Sequence, residues 1–132
     1  MKNRISFSLI ILVFGTIISA QTVSGDLSLL ADQPIKLEGF NGIKTYTISE
    51  VKCDSTGNFT LPYTKADFGI GFLKSVDNKP LFVILCGEDI ELDGEALSSV
   101  ETIQIIKGKE NQLFEQYAKE HPKREQALIA WL

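Results

Sequence analysis

The 132-residue chain has one histidine, one methionine, one tryptophan, two cysteines and four prolines. A single histidine cannot build a multi-histidine metal site, and any Ser-His-Asp triad would depend on His121, which has no zinc-ligand spacing around it. Its place before Pro122 reads instead as a connector between helices. Cys53 and Cys86 do not form a Cys-x-x-Cys motif, so the close spacing that lowers one thiol's pKa in thioredoxin-type redox enzymes is missing. Lys+Arg 13 against Asp+Glu 17 gives a net charge of −4, with no basic stretch after the first residues, which argues against a nucleic-acid partner. Apolar residues at 44% and charged residues at 23% are ordinary globular values and exclude disordered, collagenous and coiled-coil readings.

The first residues have the pattern of a secretory signal. Lys2 and Arg4 form a positive start, residues 5–18 carry an apolar run, and Ser19-Ala20 precede polar Gln21. The run is shorter than the roughly 20 apolar residues of a membrane span and is diluted by Ser6, Ser8, Gly15 and Thr16. Cleavage after Ala20 is expected. Membrane contact would arise only through this segment if it stayed uncleaved. Because Gln21 and not Cys follows the cut, a lipid anchor is disfavoured. Losing Lys2 and Arg4 takes the net charge from −4 to −6, so an acidic, periplasmic or secreted protein is expected.

That address makes a Cys53–Cys86 disulfide conceivable, worth about 3–4 kcal/mol in the chain-entropy model. The alternative is two separate, mostly buried thiols acting as small apolar residues. Cys53 enters the turn Asp54-Ser55-Thr56-Gly57, whereas Cys86 ends the apolar run Leu81-Phe82-Val83-Ile84-Leu85.

Between residues 33 and 106 short segments of period two are broken by turn chemistry, the signature of antiparallel sheet. Ile35 and Leu37 alternate with Lys36 and Glu38, and Gly39-Phe40-Asn41-Gly42 leads into a strand over 43–48. Asp54-Ser55-Thr56-Gly57-Asn58 is the strongest turn signal, and Phe59 and Leu61 start the return strand. Strands are also expected over 69–76, 81–86, 90–92 and 100–106, with 81–86 fully buried because it does not alternate. The fold class is mainly β: an antiparallel β-sandwich or partly open barrel of about seven strands, followed by two C-terminal helices. The expected division is a signal at 1–20, a β domain at 21–107 and a helical extension at 108–132. Leu113, Phe114 and Tyr117 give residues 109–120 an amphipathic helical pattern, and Pro122 would open a second helix. That second segment ends on Ala127-Leu128-Ile129-Ala130-Trp131-Leu132 without a cap. Leu128, Trp131 and Leu132 are therefore candidates for a partner surface, packed on this domain, on a partner, or under a further part of a longer chain.

The ordered series Cys53-Asp54-Ser55-Thr56-Gly57-Asn58-Phe59, Gly69-Ile70-Gly71-Phe72, Pro80-Leu81-Phe82-Val83-Ile84, Gly87-Glu88-Asp89-Ile90-Glu91-Leu92 and Gly108-Lys109-Glu110-Asn111, with Tyr117 on the helix, resembles one known domain. It is the β-rich N-terminal domain of unknown function that precedes the thioredoxin-like domain in secreted thiol-disulfide oxidoreductases of Bacteroidetes, of the TlpA/ResA type. The likeness spans about residues 26–120. Lys109 departs from the family pattern, which more often has Ser there. The larger departure is the absence of the thioredoxin-like domain with its Cys-x-x-Cys, to which the reductase activity belongs. The resemblance therefore implies a non-catalytic domain with no catalytic, cofactor-binding or metal residue, partnered by a thioredoxin-like domain in cis or by another exported protein.

Glu88, Asp89, Glu91, Asp93 and Glu95 carry the oxygen chemistry of a Ca²⁺ site, but strand alternation turns Glu91 to solvent. Asp54 and Asn58 lack the rest of a calcium loop and read as turn residues. Phe40, Tyr46, Phe59, Tyr63, Phe68, Phe72 and Phe82 are enough to line an apolar cleft, although so small a domain needs aromatics first for its core and partner surface. Three functions follow as expectations: an exported accessory or interaction domain, the front end of a complete thioredoxin-like disulfide reductase continuing past residue 132, or a free-standing binder of a small apolar ligand.

Overall fold

The computed structural model describes residues 20–77 and 79–120. Residues 1–19 of the expected signal, position 78 of the expected turn at 77–80, the second helix with His121, and Leu128, Trp131 and Leu132 lie outside the described residues.

Among the described residues, eight strands precede one helix: β1 (Gln21–Leu27), β2 (Pro34–Asn41), β3 (Lys44–Lys52), β4 (Asn58–Tyr63), β5 (Gly69–Ser75), β6 (Leu81–Leu85), β7 (Ile90–Gly94), β8 (Gln104–Lys107) and α1 (Lys109–Glu120). They form two four-stranded sheets, ordered β4-β1-β7-β8 and β3-β2-β5-β6. Alternation supplies the core. Val23, Leu27, Leu61, Tyr63, Ile90 and Leu92 point inward from the first sheet, while Ile35, Leu37, Leu73, Val83 and Leu85 do so from the second; all belong to one buried cluster.

The turn between β3 and β4 forms as its residues dictate. Asp54 Oδ1 accepts hydrogen bonds from the main-chain N–H groups of Thr56 and Asn58, both at 2.9 Å, and from the Thr56 hydroxyl at 2.8 Å. Gly57 has φ +89°, and a Cβ there would stand 2.1 Å from the carbonyl oxygen of Leu27. The Asp54 carboxyl is held below its ordinary value, first by the Asn58 N–H and then by the Thr56 donors.

Four expectations are corrected. The sequence pattern shows about seven strands and misses β1, whose inward set is Val23, Gly25 and Leu27 with no side chain in the middle. A Cβ at Gly25 would lie 2.2 Å from the Leu92 carbonyl oxygen, so the position needed for close strand approach is the one that hides the alternation. The sheets are not wholly antiparallel, because β1 pairs in parallel with β7 while pairing antiparallel with β4. The strand expected over 100–106 is shorter: Val100–Thr102 is a 3₁₀ turn and β8 follows it. Finally, β6 is not buried on both faces. It is an outer strand of its sheet; Val83 and Leu85 point into the core, while Phe82 on the opposite face is exposed.

Helix α1 has the expected bounds but the opposite orientation. Asn111 is buried, whereas Leu113, Phe114 and Tyr117 are exposed. Its polar side chains reach the edges of both sheets. Gln112 Nε2 donates to the Ile105 and Ile106 carbonyls, each at 3.1 Å, and Glu115 Oε2 accepts from the Ile105 N–H at 3.1 Å. Among the described residues, no helix is long and apolar enough to cross a membrane.

Candidate functional site

The two sheets turn chemically opposite faces outward. On the first, Asp26 lies in register with Asp93 and Ser24 with Glu91, while Ser24 and Asp26 face Thr60 and Asn58 on the other side. This face is polar and acidic. On the second, Glu38 of β2 sits opposite Phe72 of β5, and Phe72 opposite Phe82 of β6. Phe40, two positions after Glu38, completes a row of three rings. Phe40 and Phe72 have centroids 5.2 Å apart at 56°, and Phe72 and Phe82 are 6.1 Å apart at 62°, both tilted arrangements favoured by ring quadrupoles. Phe72 is buried between its neighbours, but Phe40 and Phe82 remain 49% and 39% exposed.

Beside the rings is a charged knot. Lys36 and Lys74 stand directly opposite each other across β2 and β5, a like-charge pairing that is unfavourable unless an anion intervenes. Glu38 is that anion. It is only 6% exposed, with Oε1 3.1 Å from Lys36 Nζ and Oε2 3.3 Å from Lys74 Nζ. Burial pushes its carboxyl upward and is the largest single influence, but the hydrogen bonds and charges of the two lysines together outweigh it and hold the group below the usual value. Lys74 Nζ also lies 5.2 Å from the centroid of Phe72, so one ammonium serves both carboxylate and ring.

The other sequence candidates separate. Cys53 is buried and Cys86 exposed, and the two thiols are not joined. They follow β3 and β6, the two outer strands of one sheet, about 14 Å apart at the usual strand spacing. They also sit at opposite ends: the Cys53 main-chain N–H donates to the Gln33 carbonyl beside the start of β2, whereas Leu85 pairs with Gly69 at the start of β5. A disulfide requires Cα atoms within about 7 Å, so the bridge left open by the sequence is excluded by this geometry. The expectation of two mostly buried thiols holds for Cys53 only. Burial, reinforced by nearby Asp54, pushes the Cys53 thiol up. In native protein, iodoacetamide is expected to label Cys86 rapidly and Cys53 only after denaturation; two equally protected thiols, seen by mass spectrometry, would contradict this.

The seven aromatics do not line one cleft. Phe59 and Tyr63 enter the core; the Tyr63 hydroxyl donates to the Glu88 carbonyl and accepts from the Gly87 N–H at 3.1 Å. Tyr46 donates to Asp67 at 2.9 Å. The acidic run disperses as well: Asp89 accepts from the Thr22 N–H at 3.0 Å, and Glu88 accepts from the Glu110 N–H at 3.3 Å in the first turn of α1. Among the described residues, no group of three or more histidine, cysteine, aspartate or glutamate side chains is placed to hold a metal ion. Sequence reasoning missed Glu38 and Asn111. Alternation puts Lys36 and Glu38 on one face, but nothing in the chain order announces that Lys74 and Phe72 arrive beside them.

No protein-family profile matches the chain, and no curated protein does. Among solved structures, a 9R-lipoxygenase from Cyanothece PCC8801 matches at 19% identity over 53% of this chain, with a TM-score of 0.36. The match spans 14% of that enzyme's length.

Proposed function

We propose that the chain is a non-catalytic, exported interaction domain, built as a β-sandwich, that docks a thioredoxin-like domain or another exported protein through the outer face of its second sheet. The single observation supporting this reading is the contrast between the faces. One is acidic and well solvated; the other leaves Phe40 and Phe82 half exposed around Phe72, beside the lysine-flanked Glu38. Aromatic side chains on a rigid sheet offer large contact area at little conformational cost, the usual chemistry of an interface anchor. Export rests on the signal pattern at 1–20, and the redox partner on the sequence resemblance.

The test places a photo-reactive benzoylphenylalanine at position 82 or, as control, at position 60 on the acidic face, in cells exporting the protein. A discrete cross-linked species from position 82 and none from position 60 is expected. Equal yields from both positions, or none from 82, would remove the assignment of the face. Turnover by the purified chain in an insulin-reduction assay would remove the non-catalytic reading.

A further inference from the structure

We propose that the edge of β6 that no strand pairs among the described residues is an interaction surface for a second copy of this chain, paired strand to strand, and that α1 keeps it closed through Asn111. Strand β6 reads Leu81-Phe82-Val83-Ile84-Leu85, with no charge and an unbroken register against β5. Edge strands are normally protected by charged residues, proline, a bulge or a cover, because their unpaired main-chain groups invite another chain. Among these devices β6 has the cover. Asn111 is buried, its Oδ1 accepting from the Ile84 N–H at 2.8 Å and its Nδ2 donating to the Ile84 carbonyl at 2.9 Å. These are the two bonds that a residue of an adjoining antiparallel strand exchanges at a hydrogen-bonded pair. The carboxamide therefore imitates one peptide group of a missing ninth strand.

The cover is also exchangeable. Leu113 and Phe114 are 52% and 37% exposed, and α1 hydrogen-bonds the sheets through the polar side chains of Asn111, Gln112 and Glu115. Among the described residues Asn111 is the side chain bonded to the outward Ile84 N–H and C=O, so with the hydrogen bonds to β8 kept, its loss leaves both groups open to a second copy. A second copy suits the edge because β6 is apolar throughout, so a two-fold antiparallel pairing centred on Ile84 opposes no like charges. It would join two four-stranded sheets into one and bring the two exposed Phe82 rings onto a continuous outer face.

The experiment measures mass in solution and amide exchange of full-length mature protein. Wild type should keep the mass of one chain, with the Ile84 amide protected. Asn111→Ala should form a two-chain species; on dilution its Ile84 amide should exchange about tenfold faster or more, as loss of the two bonds implies, and regain protection as concentration rises. Adding Ile84→Pro, which removes the outward N–H without touching the β5 ladder, should return the single chain. Asn111→Asp, which keeps the acceptor but sets a second oxygen against the Ile84 carbonyl, should move in the same direction. An Asn111→Ala protein that stays single with Ile84 freely exchanging overturns the proposal, as does a two-chain species that survives Ile84→Pro. Failure of both Asn111 variants to fold would also overturn it, since the contact would then belong to the fold rather than cover it.

Discussion

Gly25→Val should abolish the folded state at room temperature, and Gly25→Ala should lower unfolding free energy by about 3 kcal/mol, at the upper end of overpacking costs. Gly25 lies in β1, with β4 on one side and β7 on the other. An added Cβ would meet the Leu92 main-chain oxygen at 2.2 Å and Leu92 Cγ at 3.1 Å. A main-chain oxygen cannot rotate aside as a side chain can. Relief requires separating β1 from β7 and so breaking the parallel pairing of Gly25 with Leu92. Since small domains are stable by only about 5–15 kcal/mol, valine's further bulk against a main-chain oxygen exhausts the margin. Gly42→Ala is the control. Its φ of +67° makes alanine costly by about 1–2 kcal/mol, but nothing lies within 4 Å of the new Cβ. Urea unfolding followed by far-ultraviolet circular dichroism compares the two; equal losses at Gly25 and Gly42 would show that β1 does not approach β7 this closely.

Glu38→Ala should cost about 3 kcal/mol, near the lower end for removing one member of a buried charge set, because Lys36 and Lys74 are 39% and 31% exposed and recover part of their hydration. The loss has two parts: a void beside Phe72, and two ammonium groups left facing each other across β2 and β5. Glu38→Gln keeps the shape and removes the charge, so it should fall between alanine and wild type. The pair also predicts a pH dependence. Glu38's carboxyl is held below its ordinary value of 4.5 in the folded protein, so near that pH the unfolded chain binds more protons than the native one. Its contribution is therefore complete above the unfolded value and disappears as pH falls through the lower folded value. Asp54 and Asp77 share this direction, so acid unfolding involves all three carboxyls. The difference between wild type and Glu38→Gln isolates Glu38: it should stay level from neutral pH to about 5 and shrink below that. A difference that widens on acidification would reverse the assignment.

Much of the fold was legible in the residue order because local chemistry enforces it. The Asp54–Asn58 turn carries its own hydrogen bonds, the alternation in β2 and β4 needs only a pleat, and α1 begins where its helical run does. The candidate face was legible only as a set of aromatics with no address. Phe40, Phe72 and Phe82 are spread over three strands, and only the β2–β5–β6 pairing lines them up. β1 was hidden because the glycine that permits its close approach also interrupts its pattern.

Residue order settled the turns, the period of each strand and the existence of the helix, since each depends on groups a few positions apart. Which face of α1 meets the sheets, where β1 lies, how far apart Cys53 and Cys86 stand, and which lysines flank Glu38 were settled by strand order. Those contacts join groups distant along the chain, and no local preference encodes which distant strand will arrive alongside.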